Sequence, residues 1–338
     1  MKNKTLILSI VLNICFSQWF DIEVDGVNRE YLISYPISAS EPSPLIINMH
    51  GYTSNAYAQL YYSQMDDYAL PQNIAVVYPQ GMNNVQGISS WNVGSNWDGN
   101  FYDDVGFISE MIEKINEDFS IDLDRVYACG MSNGGYMTYE LACELSDKIA
   151  AFGSVTGNFM LNSNQNCNNG REIPIIHLHG TADAVVNYNP PSFDGALTVS
   201  ESIDYWSNFN NLTLLSSEDL NNEVEKFIFS SETSSTQFVH FKVTGGQHEW
   251  FGTSWGFHTS DELINFFLEY RLSHFVNNIL IGDLNENGTV NIQDIIIVIN
   301  IILGQIIPSE GQEFLGDLNE DEIINVTDII LLVQLILN

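Results

Sequence analysis

A serine between two glycines, an aspartate after a buried apolar run and a histidine after a glycine pair are the residues of this chain best suited to chemistry. The serine lies in Gly130-Met131-Ser132-Asn133-Gly134. The apolar run 125–129 before it reads as a buried strand, and residues 135–145 after it repeat apolar side chains at helical spacing. Strand, Gly-x-Ser-x-Gly and helix make a nucleophile elbow, which presents a hydroxyl on a sharp turn and aims the free N–H groups of the helix start at a developing oxyanion. A serine hydroxyl is a weak nucleophile without a base. His248, behind the strand pattern 238–243 and Gly245-Gly246, fits that base, and Asp183, behind the run 173–179 and Gly180-Thr181-Ala182, fits the acid. His248 would take the Ser132 proton and return it to a leaving alcohol, while Asp183 holds the imidazole tautomer and stabilises its charged form. The oxyanion donors expected are the backbone N–H groups of Asn133 and of Tyr52, in the loop after the run 45–49, with the Tyr52 ring as a wall of the acyl site.

The competing residues have poorer surroundings. His50, His177 and His179 stand in or at the ends of buried runs and read as hydrogen-bonded residues of the core or residues supporting the catalytic groups, and His240 lies within its strand. His258 and His274 lack the glycine-rich approach, and Asp194 and Asp204 have no strand before them. Trp91, Trp97, Tyr102 and Trp250 are candidate stacking surfaces for an aromatic acyl group or a sugar, Trp91 and Trp250 foremost. A packing role is the alternative for each. Asp103 and Asp104 read as helix-capping acids.

Positioning three such groups requires a scaffold of alternating elements. The runs 45–49, 74–78, 125–129 and 173–178 are short, apolar and each followed by a glycine-rich or polar loop, with helical segments such as 105–115 between them. That alternation predicts an α/β fold around a mainly parallel sheet covered on both faces. Residues 19–36 alternate around Asp25-Gly26 and predict a β-hairpin. A strand over 238–243 and a helix over 261–275 complete the domain, while the polar stretch 212–236 shows no firm pattern.

The 338 residues carry 45% hydrophobic side chains, enough for a packed core, yet 43 Asp and Glu stand against 10 Lys and Arg, a formal charge of −33. Such a surface repels nucleic acid and anionic membranes. Residues 1–17 read as a signal peptide: Lys2 and Lys4, an apolar stretch 6–16, and Cys15 and Ser17 as the small residues of a cleavage site. A lipid anchor on Cys15 is the alternative, against which the bulky Ile14 argues. An exported, secreted chain meets oxidising conditions, so a Cys143–Cys167 disulfide is expected, with Cys129 a buried thiol.

Seven motifs follow one another in order: Asn48-Met49-His50-Gly51-Tyr52, Tyr78-Pro79-Gln80-Gly81, Trp91-Asn92, Asp103-Asp104-Val105-Gly106-Phe107, Gly130-Met131-Ser132-Asn133-Gly134-Gly135, His179-Gly180-Thr181-Ala182-Asp183 and Gly245-Gly246-Gln247-His248-Glu249-Trp250. Over about residues 20–275 the chain resembles the secreted α/β-hydrolase esterases that include feruloyl esterases and polyhydroxybutyrate depolymerases. The resemblance implies Ser132 as nucleophile, Asp183 as acid and His248 as base. Glu249 and Phe251 depart from the family pattern beside the base.

Downstream of Arg271 there is no Lys or Arg, and that shift in composition marks a boundary near residues 275–281. Two segments then repeat, Gly282-Asp283-Leu284-Asn285-Glu286-Asn287-Gly288 and Gly316-Asp317-Leu318-Asn319-Glu320-Asp321-Glu322. Their spacing fits EF-hand-type Ca2+ loops, with ligands Asp283, Asn285, Asn287, Thr289 (carbonyl) and Asp294 in the first, and Asp317, Asn319, Asp321, Ile323 (carbonyl) and Asp328 in the second. Asn291 and Asn325 take the ninth positions, and Glu322, where the turn favours glycine, predicts a weaker second loop. Each loop leads into an apolar helix. The duplicated unit resembles a dockerin, which implies a cohesin-bearing scaffold as partner, although Ile292-Gln293 and Val326-Thr327 depart from the usual Ser/Thr pairs.

The expectation is therefore a signal peptide (1–17), an α/β-hydrolase domain (18–276) and a small all-α dockerin-like domain (280–338) with structural Ca2+. The expected activity is hydrolysis of feruloyl or acetyl esters on plant polysaccharide, with no cofactor for catalysis. Polyester hydrolysis is the alternative within that chemistry, and a non-catalytic carbohydrate- or scaffold-binding protein the alternative outside it.

Overall fold

The computed structural model describes residues 17–36, 42–93, 99–160, 167, 171–192, 195–231, 234–275, 281–285, 289–319, 321 and 323–337. The signal-peptide reading lies outside them except for Ser17. Contacts divide the chain into two compact units, Met1–Leu272 and Ser273–Asn338.

The first unit is built on ten strands: β1 (Ser17–Val24), β2 (Val27–Ser34), β3 (Ser43–Met49), β4 (Ala75–Pro79), β5 (Ile121–Met131), β6 (Ala151–Val155), β7 (Ile175–Gly180), β8 (Thr213–Asp219), β9 (Val224–Ser230) and β10 (Gln237–Val243). They form one sheet in the order β1-β2-β4-β3-β5-β6-β7-β10-β9-β8. The stretch from β4 to β10 is parallel, while β1-β2 and β9-β8 add antiparallel hairpins at the two edges. Parallel strands need both faces covered, and the central ones are buried along their length. Asp25 and Gly26 both take positive φ (51° and 76°), as a two-residue turn between twisted strands requires. The segment 212–236, unpatterned in sequence, supplies β8 and β9. β8 is the edge strand and β9 its neighbour, both partly open to water, so neither has the continuous burial that marks the central strands.

The helices are α1 (Ala56–Ser63), α2 (Met65–Ala69), α3 (Asp104–Asp118), α4 (Asn133–Glu144), α5 (Val199–Phe209) and α6 (Thr259–Leu268). Side chains alternate across each strand, so one face of β5 offers Val126 and Ala128, which join a core with Phe107, Ile108 and Met111 of α3, Met137 and Leu141 of α4 and Trp206 of α5. Its other face offers Tyr127, whose ring stacks on Phe267 of α6 at 5.1 Å and whose hydroxyl donates to Tyr270 O at 2.8 Å. Asp103 caps α3 by accepting from Gly106 N–H, but Asp104 does not cap. It is buried in an ion pair with Arg29 at 2.6 Å, and Arg29 also lies over the Phe107 ring. Cys143 of α4 is disulfide-bonded to Cys167, with Cα atoms 4.5 Å apart, and Cys129 is a buried free thiol whose pKa burial pushes up.

The second unit holds α7 (Ile292–Ile302), α8 (Glu310–Gly316) and α9 (Val326–Leu337) around Leu284, Val298, Leu315 and Leu332. Among the described residues, four buried apolar side chains make a small core for a unit of this size.

Candidate active site

β5 ends at Met131 and α4 begins at Asn133, leaving Ser132 alone between strand and helix with φ 56° and ψ −120°. A non-glycine residue in that region costs roughly 1–3 kcal/mol and persists only where its surroundings impose it. Here the Ser132 N–H donates to Val155 O at 2.8 Å, and the Tyr136 N–H donates to Ser132 O at 2.9 Å. A Cβ on Gly130 would strike the Gly134 backbone, and one on Gly134 the carbonyls of Met49 and His50. Glycine at both positions is what lets α4 start so close to β5 and β3.

Asp183 and His248 reach the same edge of the sheet from other strands. β7 runs parallel to β6 and β10, so the loops after β5, β7 and β10 all leave the sheet at its carboxyl end, where α/β sheets place their sites. His248 Nδ1 lies 2.8 Å from Asp183 Oδ2. The Asp183 side chain is fully buried, and its Oδ1 accepts the N–H groups of Val185 and Val186 at 2.8 Å each. Burial alone would raise the Asp183 pKa, but hydrogen bonds from His179, His248 and the Val185 N–H hold it well below the usual carboxylate range. Asp183 is therefore an anion that only accepts, which fixes the His248 proton on Nδ1 and leaves Nε2 free to take one. The Ser132 hydroxyl makes no hydrogen bond to His248 or to any other described residue. Such bonds are commonly long before substrate binds and tighten in the complex.

The loop after β3 closes over the elbow. A Cβ on Gly51 would lie 3.3 Å from Ser132 Cβ and 3.8 Å from its Oγ. His50, fully buried, has Nδ1 2.8 Å from Gly51 O, and its Nε2 accepts the Gly81 N–H at 3.0 Å. The acceptor role of Nε2 puts the ring proton on Nδ1. Burial lowers the His50 pKa to about 4, so the ring is neutral near pH 7. Carbonyl and N–H of one trans peptide point in opposite directions. Pinning Gly51 O on His50 thus turns the Tyr52 N–H away from the imidazole. Ser54 N–H also donates to Gly51 O at 3.1 Å, closing a turn in which Thr53 takes φ 68°. Asn133 opens α4, so its N–H has no acceptor within the helix. Backbone N–H groups beside a nucleophilic hydroxyl are the kind of donor that can hold an oxyanion.

Trp91 and Trp250 differ from the stacking role expected of them. Trp91 has no exposed surface: its Nε1–H donates to His50 O at 2.8 Å, its N–H to Asn133 Oδ1 at 2.7 Å, and its carbonyl accepts from Asn133 Nδ2 at 3.2 Å. It ties the loop after β3 to the elbow and offers no face to a substrate. Trp250, 5% exposed, donates its Nε1–H to Ser260 Oγ and its N–H to Tyr62 OH, bracing the His248 loop against α1 and α6. Sequence placed His50 in the core or in support of the site without saying what it holds. Its position directly after a buried strand and before Gly51 was the available signal.

In the second unit, Asp294 and Asp328 have no exposed surface and Asp283 only 4%. Asp294 accepts the N–H groups of Asn285 and Asn291, and Asp328 those of Leu318, Asn319 and Asn325. Asn291 donates to Thr289 O and Asn325 to Ile323 O, so the two loops fold alike. Buried carboxylates in a segment without Lys or Arg call for a cation. Among the described residues no group of three His, Cys, Asp or Glu converges on a metal position; each donor set mixes Asp with Asn and a carbonyl. Asn287, Glu286 and Glu322 lie outside the described residues.

Residues 36–193 match the Phospholipase/Carboxylesterase family model, and residues 281–337 match the dockerin type I domain. A bifunctional acetylxylan esterase/xylanase of Neocallimastix patriciarum is 30% identical over 163 residues, covering 48% of this chain and 22% of that protein. Feruloyl esterase B of Piromyces equi is 29% identical over 199 residues (55% and 36%), and feruloyl esterase C of Emericella nidulans 27% over 190 (53% and 63%). The chain thus spans less than two thirds of the length of each of these relatives. Among solved structures, the acetyl xylan esterase from Aspergillus awamori superposes with a TM-score of 0.57 at 15% identity, covering 75% of this chain and 99% of that one. A thermostable esterase gives 0.51 at 18% identity, covering 75% and 63%. The fold is that of the α/β-hydrolases.

Proposed function

We propose that this α/β-hydrolase chain is an exported serine carboxylesterase that removes feruloyl or acetyl groups from plant polysaccharide. The observation that carries the reading is the 2.8 Å Asp183–His248 bond at the same sheet edge as the strained Ser132 elbow. Ser132 Oγ attacks the ester carbonyl as His248 Nε2 takes its proton, and the N–H groups of Asn133 and Tyr52 receive the oxyanion. Collapse of that intermediate breaks the ester C–O bond, and His248 returns the proton to the departing alcohol. Water, deprotonated by the same imidazole, then cleaves the acyl-Ser132 ester.

The substrate class draws support from the matched relatives, named as feruloyl and acetylxylan esterases. The dockerin match supports docking onto a cohesin-bearing scaffold, with residues 18–276 as the esterase and 280–338 as the docking module. Ca2+ would be held by Asp283, Asn285, Asn287, Thr289 O and Asp294 in the first loop. In the second, Asp317, Asn319, Asp321, Ile323 O and Asp328 would hold it, the metal neutralising carboxylates that folding buries. Export draws support from the signal-peptide pattern of residues 1–17. No helix among the described residues is long and apolar enough to cross a membrane.

Ser132→Ala tests the activity. The variant is expected to keep its circular dichroism spectrum and lose turnover of methyl ferulate and p-nitrophenyl acetate; full turnover would sink the assignment. Rates of the native protein on methyl ferulate, acetylated xylan and a short-chain polyhydroxyalkanoate rank the ester classes.

A further inference from the structure

Behind Asp183 the sheet buries three histidines that the ester chemistry does not use. His177 and His179 lie on one face of β7, and His240 of β10 stands in register beside His177. Tyr139 of α4 places its hydroxyl 2.7 Å from His177 Nδ1, His177 Nε2 lies 3.0 Å from His179 Nδ1, and His179 Nε2 lies 2.8 Å from Val186 O. The same His179 Nε2 is 3.4 Å from Asp183 Oδ2.

The protons in this chain have one consistent arrangement. Val186 O and the Asp183 carboxylate are acceptors, so His179 Nε2 carries a proton. Tyr139 OH has no other hydrogen-bond partner among the described residues, so its proton goes to His177 Nδ1. His177 Nδ1 then accepts, its Nε2–H donates to His179 Nδ1, and both rings are neutral. Burial, then the neighbouring His179 and His240, push the His177 pKa well below its ordinary value, in keeping with that state. His240 does not compete, because its Nδ1 faces His177 O at 3.1 Å and its Nε2 the Tyr188 hydroxyl at 2.9 Å.

Resting on Asp183 as the acid of the esterase, we propose that Tyr139, His177 and His179 form a one-way hydrogen-bonded chain that orients the Asp183 carboxylate, with His179 as the positioning residue. His179 holds the loop after β7 through Val186 O and shares the negative charge of Oδ2 with His248. The groups facing it are His177 from β7, Tyr188 from the following loop, His240 from β10 and Asp183 itself. Asp183 in turn faces His248 and Tyr136 of α4. Without the His179 donor, more of the Asp183 negative charge falls on His248, whose imidazolium then gives up its proton less readily. That effect moves the acidic limb of the kcat/KM profile to higher pH.

The test is the pH profile of p-nitrophenyl acetate hydrolysis by His179→Leu, His179→Gln and Tyr139→Phe, each checked for folding by circular dichroism. His179→Leu is expected to lose about tenfold or more in kcat with KM little changed, since a hydrogen bond to a charged group is removed. Its acidic limb should rise by about half a pH unit or more. His179→Gln, whose amide N–H reaches the same acceptors, should recover most of the rate and return the limb. Tyr139→Phe should move the limb the same way by less. A folded His179→Leu whose limb stays at the native pH overturns the proposal; if that variant does not fold, a native limb in Tyr139→Phe overturns it. Ser132→Ala runs alongside: its inactivity preserves the esterase reading whatever the His179 variants do, and its activity removes that reading.

Discussion

Replacing His50 tests how the oxyanion loop is held. In the native protein the imidazole donates Nδ1–H to Gly51 O and accepts the Gly81 N–H on Nε2. His50→Leu fills similar space but leaves Gly51 O held only by the Ser54 N–H, loosening the Gly51–Tyr52 peptide. One oxyanion donor is worth roughly 3 kcal/mol, so kcat on p-nitrophenyl acetate should fall about a hundredfold with KM little changed. The Gly81 N–H is also left without its acceptor, costing about 1–3 kcal/mol in urea unfolding. His50→Asn separates the two losses, because its amide nitrogen overlays Nδ1 and keeps the Gly51 bond. It should retain most of kcat while showing the stability loss. The pH dependence has a definite sign. A histidine held at about 4 when folded, against 6.5 when unfolded, binds its proton more readily in the unfolded chain. Stability conferred by its neutral form is complete above pH 6.5 and is lost as pH falls from 6.5 towards 4. For His50 this amounts to about 3 kcal/mol, a share that should vanish from the pH dependence of His50→Asn. A folded His50→Leu with kcat within about threefold of native would refute the pinning of the Tyr52 N–H by His50.

Three further outcomes are expected. Breaking the Cys143–Cys167 bridge, which closes a loop of sequence separation 24, should cost about 3.5 kcal/mol in denaturant unfolding, and a Cys143→Ser/Cys167→Ser protein as stable as native would contradict this. Arg29→Met leaves Asp104 buried without its cation and should destabilise by about 3–5 kcal/mol in urea titration, with the unfolding midpoint as the check. Adding Ca2+ to the chelator-treated chain should raise helical circular dichroism and thermal stability, and Asp294→Asn with Asp328→Asn should abolish both responses; a native protein indifferent to Ca2+ removes the calcium reading.

Much of the scaffold was legible because strand burial is a local property. The runs ending at Met49, Tyr78, Cys129 and Val243 are apolar enough to identify themselves, and the glycine-rich loops after them mark where side chains can face outward. Ser132, Asp183 and His248 were picked out by that logic, as residues following a buried run. β6 escaped notice because five residues with a central glycine leave too little pattern, and β8 and β9 because strands near the sheet edge, partly open to water, lack a long buried run. Glu322 and the repeated Asp and Asn positions of the tail were equally plain, since a loop that binds metal does so with residues close in sequence.

Partners distant in sequence were decided only in three dimensions. Trp91 read as a stacking surface or a packing residue, and only folding showed it locked between His50 and Asn133, 41 and 42 residues away. Asp104 resembled a helix cap until Arg29, 75 residues earlier, was found against it. His177, His179 and His240 were placed in the core by composition, but their order as a proton-directed chain depends on β10 lying beside β7 and on α4 bringing Tyr139 over them. Hydropathy along the chain settles which residues leave water. Which of them meet is settled by strand order and helix placement, and those follow from the packing of the whole sheet.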